Sequence, residues 1–154
     1  MRIFLLTAVV TLSLSLSSGC QKAPEPYGNF ANAESADLVK DVLTVMLVAY
    51  PPAKTHLRLI QETGDAFGLR LIEDLRENGY AVAEHGAVMD PSSALAFAYV
   101  LDLLKDGGEL RVTLHVGKET LSRLYTIQGE DGEALYIPVS DWGRKQEGEA
   151  HGGQ

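Results

Sequence analysis

The chain has 154 residues, 45% of them hydrophobic and 22% charged, with a net charge of −8 and a pI near 4.9. That length and balance fit one globular domain with its own core, and the acidity disfavours a nucleic-acid binder, which would show a basic face. With Cys20 the only cysteine, no intramolecular disulfide can form.

The first segment is a leader. Arg2 is its single positive charge, and Ile3 to Leu16 is an apolar run broken only by Thr and Ser. The run is shorter than the ~20 apolar residues of a membrane-spanning helix and reads as a secretory signal. It ends in Leu16-Ser17-Ser18-Gly19-Cys20. This resembles a bacterial lipobox, in which small residues precede a cysteine that receives diacylglycerol. Leucine is usual three places before the cysteine; here Ser17 stands there and Leu16 one place earlier.

A lone cysteine elsewhere reads as a buried filler or a reactive thiol, but this one follows an apolar run and a glycine. The resemblance implies that residues 1–19 are removed and that Cys20 becomes an N-palmitoyl, S-diacylglycerol N-terminus. Gln21 follows where Asp would oppose export. By resemblance to lipoprotein sorting, this implies the outer membrane, with the domain facing the periplasm. Three acyl chains anchor stably, since two lipid signals already suffice.

Residues 20–33, with Pro24, Pro26, Gly28 and two Asn and little apolar content, predict a flexible tether between lipid and domain, with a span of about 20 Å. Tyr27 and Phe30 are its aromatic exceptions, either stray linker residues or a docking motif for a partner. The domain is expected over residues 34–142. Ser35 is placed to cap a helix reaching about Ala49, with Leu38, Val42, Val45, Met46 and Ala49 as its apolar stripe. Leu43, Leu47 and Val48 widen that stripe and predict a well-buried helix. Pro51 and Pro52 stop it, and Tyr50 packs the corner.

Thr55 to Ile60 alternates as a strand, with Leu57 and Leu59 on one side. A second helix follows, with Thr63 as its expected N-cap, Asp65 favouring its N-terminus, and Asn78-Gly79 as its stop. Phe67, Leu71 and Leu75 fall on one stripe beside Ile72, and Arg70, Glu73, Asp74, Arg76 and Glu77 fill the other side. Tyr80 to Glu84 is a short strand, and His85 to Ser93 a loop.

Leu95, Phe97, Tyr99, Leu101 and Leu103 share one face of an extended run. Its Ala and Leu content also suits a helix, but the period-2 aromatics and a following hairpin partner favour a strand. With Ala96, Ala98 and Val100 opposite, both faces are expected to be covered near the middle. Lys105 to Gly108 is the turn into Leu110 to Val116. Gly117-Lys118-Glu119 turns again into Leu121 to Ile127, and Ala134 to Val139 is a last short strand. Residues 143–154 read as a disordered polar tail. The fold class is α+β: two layers, with two helices packed on one face of a mainly antiparallel mixed sheet.

The chemistry of catalysis is sparse. His56, His85, His115 and His151 share no helical spacing and no HExxH pattern, so no metal ligand set is assigned. Ser122 lacks a glycine elbow, and Gly107-Gly108 and Gly152-Gly153 sit in no phosphate-binding pattern. No catalytic or cofactor-binding residue is assigned.

YPPAKTHLRL, DAFGLRLIEDLRENGYAV and the later YVLDLL, LRVTLHVG and LSRLY resemble the TrbH family of conjugal transfer proteins. The likeness covers roughly Leu38 to Trp142 together with the leader. It implies an outer-membrane lipoprotein of a plasmid mating-pair-formation system, of the type IV secretion class. The role implied is structural or assembly, with other mating-pair-formation or outer-membrane secretion proteins as partners. The acidic charge suits a scaffold better than the lining of a DNA conduit, and no direct nucleic-acid contact is expected. Two alternatives stand beside it: an envelope lipoprotein that binds or assembles another outer-membrane component, and a periplasmic hydrolase.

Overall fold

The computed structural model describes residues 36–87, 94–104, 107–129 and 134–146. The leader, Cys20, the tether, Ser35, residues 88–93 of the expected loop, Lys105-Asp106, residues 130–133 and His151 lie outside these residues.

Helix α1 (Ala36–Ala49) runs into Tyr50, whose N–H donates to Met46 O at 2.8 Å, and Pro51-Pro52 begin a 3-10 turn instead of a further helical turn. Strand β1 (His56–Leu59) follows, then helix α2 (Ala66–Glu77) and strand β2 (Ala81–Ala83). The long strands are β3 (Leu95–Leu104), β4 (Glu109–Val116) and β5 (Glu119–Gln128), with β6 (Leu135–Pro138) and β7 (Gly143–Gln146) closing the chain.

All seven strands join one sheet, ordered β2-β1-β3-β4-β5-β6, with β7 also on β5. β1 pairs in parallel with both β2 and β3, and every later pair is antiparallel. Helix α2 is the crossover that a parallel β1–β2 pair requires. The β4–β5 turn is Gly117-Lys118, between the paired Val116 and Glu119. Gly117 has φ +61°, the positive value a two-residue hairpin needs at that position.

One sheet face is the core. Leu57, Leu59, Phe97, Tyr99, Leu101, Leu110, Val112, Leu114, Val116, Leu121 and Tyr125 are buried there against Leu38, Val39, Val42 and Met46 of α1 and Phe67, Leu71, Ile72 and Leu75 of α2. The ring centroids of Phe67 and Tyr99 lie 5.3 Å apart. This is the expected α+β arrangement of two helices on one face of a mainly antiparallel mixed sheet.

Four local expectations change. The N-cap of α2 is Asp65, not Thr63: its Oδ1 accepts from Gly68 N at 2.8 Å. The acidic residue wins because it meets a free N–H at the positive end of the helix dipole. Val48 is 80% exposed and Leu47 37%, so α1 buries a narrower stripe than its composition suggests. The sheet offers that helix only one side.

The far face of β3 carries no helix among the described residues, and Ala96 and Val100 remain half-buried there, so the expected cover holds only at Ala98, which is 1% exposed between them. Finally, Gly143–Gln146, read as the start of a polar tail, is strand β7. β6 pairs with β5 residues 125–128 and β7 with residues 119–122. The edge is thus one strand interrupted over residues 139–142. Those four residues stand opposite only Arg123 and Leu124 of β5, while Val139 N still donates to Leu124 O at 2.9 Å and Trp142 packs against the core.

Candidate functional site

A cleft of about 730 Å³ opens between α2 and the carboxyl ends of β1 and β2. Leu59, Gln61, Glu62 and Thr63 come from the end of β1, Glu84 and His85 from the end of β2, and Leu69, Ile72, Glu73, Arg76 and Glu77 from α2. The position follows from topology. The chain steps from β1 to β2 through α2, then returns across β1 to β3, and such reversals leave a crevice at the strand ends of parallel units.

The lining combines an apolar floor with an acidic rim. Leu59 and Ile72 are buried, whereas Leu69 is 57% exposed. Four glutamates face one guanidinium. Arg76 Nη2 donates to Glu84 Oε1 at 2.9 Å and to Val82 O at 3.3 Å. Glu62, Glu73 and Glu77 make no ion pair among the described residues.

Beneath the cleft lies a buried polar nest. Gln61 is 3% exposed, and its Oε1 accepts from Tyr99 N at 3.2 Å. Gln61 Nε2 and Thr63 Oγ1 are buried without a hydrogen bond of normal geometry. Tyr99 Oη donates to Asp65 Oδ2, whose other oxygen caps α2. Burial pushes the Tyr99 hydroxyl well above its ordinary range, and the Asp65 hydrogen bond raises it further.

Two similar ties hold α1. Tyr125 Oη and Arg123 Nη1 both donate to Asp41, the latter at 2.8 Å. Tyr50 Oη donates to Glu119, which also takes Arg144 Nε at 3.1 Å and Gln146 Nε2 at 2.9 Å. Those donors, Tyr50 first, lower the Glu119 carboxyl to about 2. Tyr80 Oη donates to Tyr50 O at 2.8 Å, joining the ends of the two helices.

The three histidines among the described residues do not converge. His56 is exposed on β1, His85 lines the cleft, and His115 Nδ1 lies 3.2 Å from Thr120 Oγ1 on the far face of the sheet. Sequence reading assigned no role to Asp41, Gln61 or Glu119. The signal available was Tyr99 and Tyr125 in the buried phase of strands, since a buried tyrosine hydroxyl needs an acceptor from another element.

The family model described as conjugal transfer protein TrbH matches residues 20–146. The chain belongs to the TrbH family. No curated protein and no solved structure matches it. Membership of TrbH makes this a conjugal transfer protein, as the resemblance implied. The matched span opens on Cys20 and closes on Gln146, so β7, unforeseen from composition, lies inside the TrbH region. The cleft and all three tyrosine–carboxylate ties also fall within it. No described helix is long and apolar enough to cross a membrane.

Proposed function

We propose that this TrbH-family protein is an outer-membrane lipoprotein of the conjugal transfer apparatus, anchored through Cys20 and acting by position and contact without chemistry of its own. The family match over residues 20–146 carries the reading. Two features of the sequence support the anchor: the apolar leader that ends in Gly19-Cys20, and the start of the matched span at Cys20. Gln21 supports sorting to the outer membrane. The domain then faces the periplasm and other components of the apparatus. The ties between helices and sheet suit a contact role, because they hold the presented surfaces in one arrangement.

Two measurements test this. Metabolic labelling with palmitate marks the wild type and misses Cys20→Ser. A strain that secretes the domain through a cleavable non-lipid signal loses most DNA transfer, while a lipidated His56→Ala/His85→Ala/His115→Ala protein keeps it. Equal labelling, full transfer from the unanchored form, or no transfer from the histidine variant at normal protein level would each overturn the proposal.

A further inference from the structure

We propose that the cleft between α2 and the ends of β1 and β2 holds an extended, basic segment of a partner protein, one that carries lysine or arginine beside an apolar residue. The charge of the cleft is the first argument. Glu62, Glu73, Glu77 and Glu84 line it against Arg76 alone, and Arg76 is already spent on Glu84.

The placement of those glutamates is the second. Glu73 and Glu77 are an i, i+4 pair of like charges, which is unfavourable on a helix. They also occupy the C-terminal half of α2, where the helix dipole disfavours anions. Asp74 in the same stretch is relieved by Arg70 at 2.7 Å, but Glu73 and Glu77 have no such relief within the described residues. A cation from outside would supply it.

The floor is the third argument. Leu69 stands 57% exposed beside Ile72 and Leu59, an apolar surface inside an acidic rim. This suits a side-chain pair of mixed character better than a bare cation. The volume of about 730 Å³ lies in the range of small-ligand and side-chain pockets, about 300–1,000 Å³. A second copy of the chain is the poorer occupant, since each copy carries a net charge of −8.

The partner being a protein of the apparatus rests on the function proposed above, but the test does not use conjugation. The full lipidated chain, purified in a neutral detergent, is titrated against a fluorescein-labelled Gly-Lys-Leu-Arg-Gly-Ser peptide and read by anisotropy. A Gly-Glu-Leu-Glu-Gly-Ser peptide is the control. Binding below about 1 mM that weakens with salt is expected for the basic peptide alone. Glu73→Gln/Glu77→Gln weakens it about tenfold, whereas Asp37→Asn/Asp141→Asn, with the same change in charge, leaves it within about twofold. Leu69→Ser weakens it several-fold.

No binding at about 1 mM, equal loss from both double variants, or equal binding of the acidic peptide would overturn the proposal. So would sedimentation showing that the wild type is a dimer which Glu73→Gln/Glu77→Gln dissociates, because the cleft would then be a self-interface. Loss of transfer with no peptide binding would leave the conjugal role standing and remove only the cleft.

Discussion

Gly68 lies in the first turn of α2, and replacing it with alanine separates two physical accounts of that helix. In an ordinary helix interior the change is favourable, since glycine costs about 1 kcal/mol relative to alanine. Here a Cβ on residue 68 would fall 1.8 Å from Tyr99 Oη, 2.5 Å from Tyr99 Cζ and 2.5 Å from Thr63 Cγ2. No rotamer of alanine avoids that, so the tyrosine must move. Overpacking of this kind costs about 1–3 kcal/mol. Moving Tyr99 also breaks its hydrogen bond to Asp65, and bonds to charged groups contribute about 1.5–3 kcal/mol. Set against the propensity gain, Gly68→Ala is expected to destabilise the domain by about 2–5 kcal/mol.

The assay is urea unfolding followed by far-UV circular dichroism and by the fluorescence of Trp142, the single tryptophan, which packs at the edge of the core. A second variant sharpens it. Tyr99→Phe removes Oη, the nearest obstacle, at the cost of the Asp65 bond. Gly68→Ala/Tyr99→Phe should therefore be more stable than the sum of the two single changes predicts, because both singles lose the same hydrogen bond and the double removes part of the clash. A stabilised Gly68→Ala, or strict additivity in the cycle, would refute the close approach of β3 to α2.

Leu71→Ala, at a site with no exposed surface, should cost about 2–5 kcal/mol in the same unfolding assay, and Glu77→Gln, exposed at the rim of the cleft, under about 0.5 kcal/mol. The reverse ranking would mean the apolar stripe is not the buried one. Glu119 predicts acid sensitivity: its carboxyl is held down to about 2 in the fold against an ordinary 4.5. A depressed carboxyl stabilises the fold above its unfolded value, and that contribution is lost as pH falls from 4.5 towards about 2. Urea midpoints across that window should fall less steeply in Glu119→Gln than in the wild type, and parallel curves would remove Glu119 as a cause. Val48→Ser should change stability by no more than about 0.5 kcal/mol, since the side chain is 80% exposed, and a larger loss would place it in the core.

Much of the scaffold was legible because it depends on local period. Phe67, Leu71 and Leu75 mark the buried stripe of α2, Asn78-Gly79 its end, and the alternation from Leu95 to Leu103 a strand where composition also allowed a helix. What stayed hidden depends on pairing at a distance. Gly-Arg-Lys-Gln has no apolar alternation, and β7 exists because β5 offers an open edge and Glu119 binds Arg144 and Gln146. Asp65 rather than Thr63 caps α2 partly because Tyr99, 34 residues later, shares the carboxylate. Leu47 and Val48 looked like core residues until the sheet supplied a covering surface on one side only. The cleft was invisible for the same reason: Glu62, Glu73 and Glu84 meet only after α2 folds back across β1 and β2.

The tyrosine ties also explain why the domain has one arrangement when its core alone would tolerate several. An apolar interface between helix and sheet accepts many near-equivalent packings, and volume-conserving changes there cost little. Asp41 does not share that tolerance. It sits in α1 with Arg123 and Tyr125 as its donors, and Arg123 is only 18% exposed. Sliding α1 by one turn would leave a half-buried guanidinium and a buried tyrosine hydroxyl without their acceptor, which destabilises the shifted packing. Asp65 imposes the same condition on α2 through Tyr99, and Glu119 on the end of α1 through Tyr50. Each helix is thus fixed in register by a carboxylate that only one sheet position satisfies. The outward surfaces, the acidic cleft beside α2 and the Leu47–Val48 side of α1, inherit that register. A component that works through contact needs its surfaces held in this way, and polar groups hold them at a cost in helix and strand composition that hydrophobic packing alone would not require.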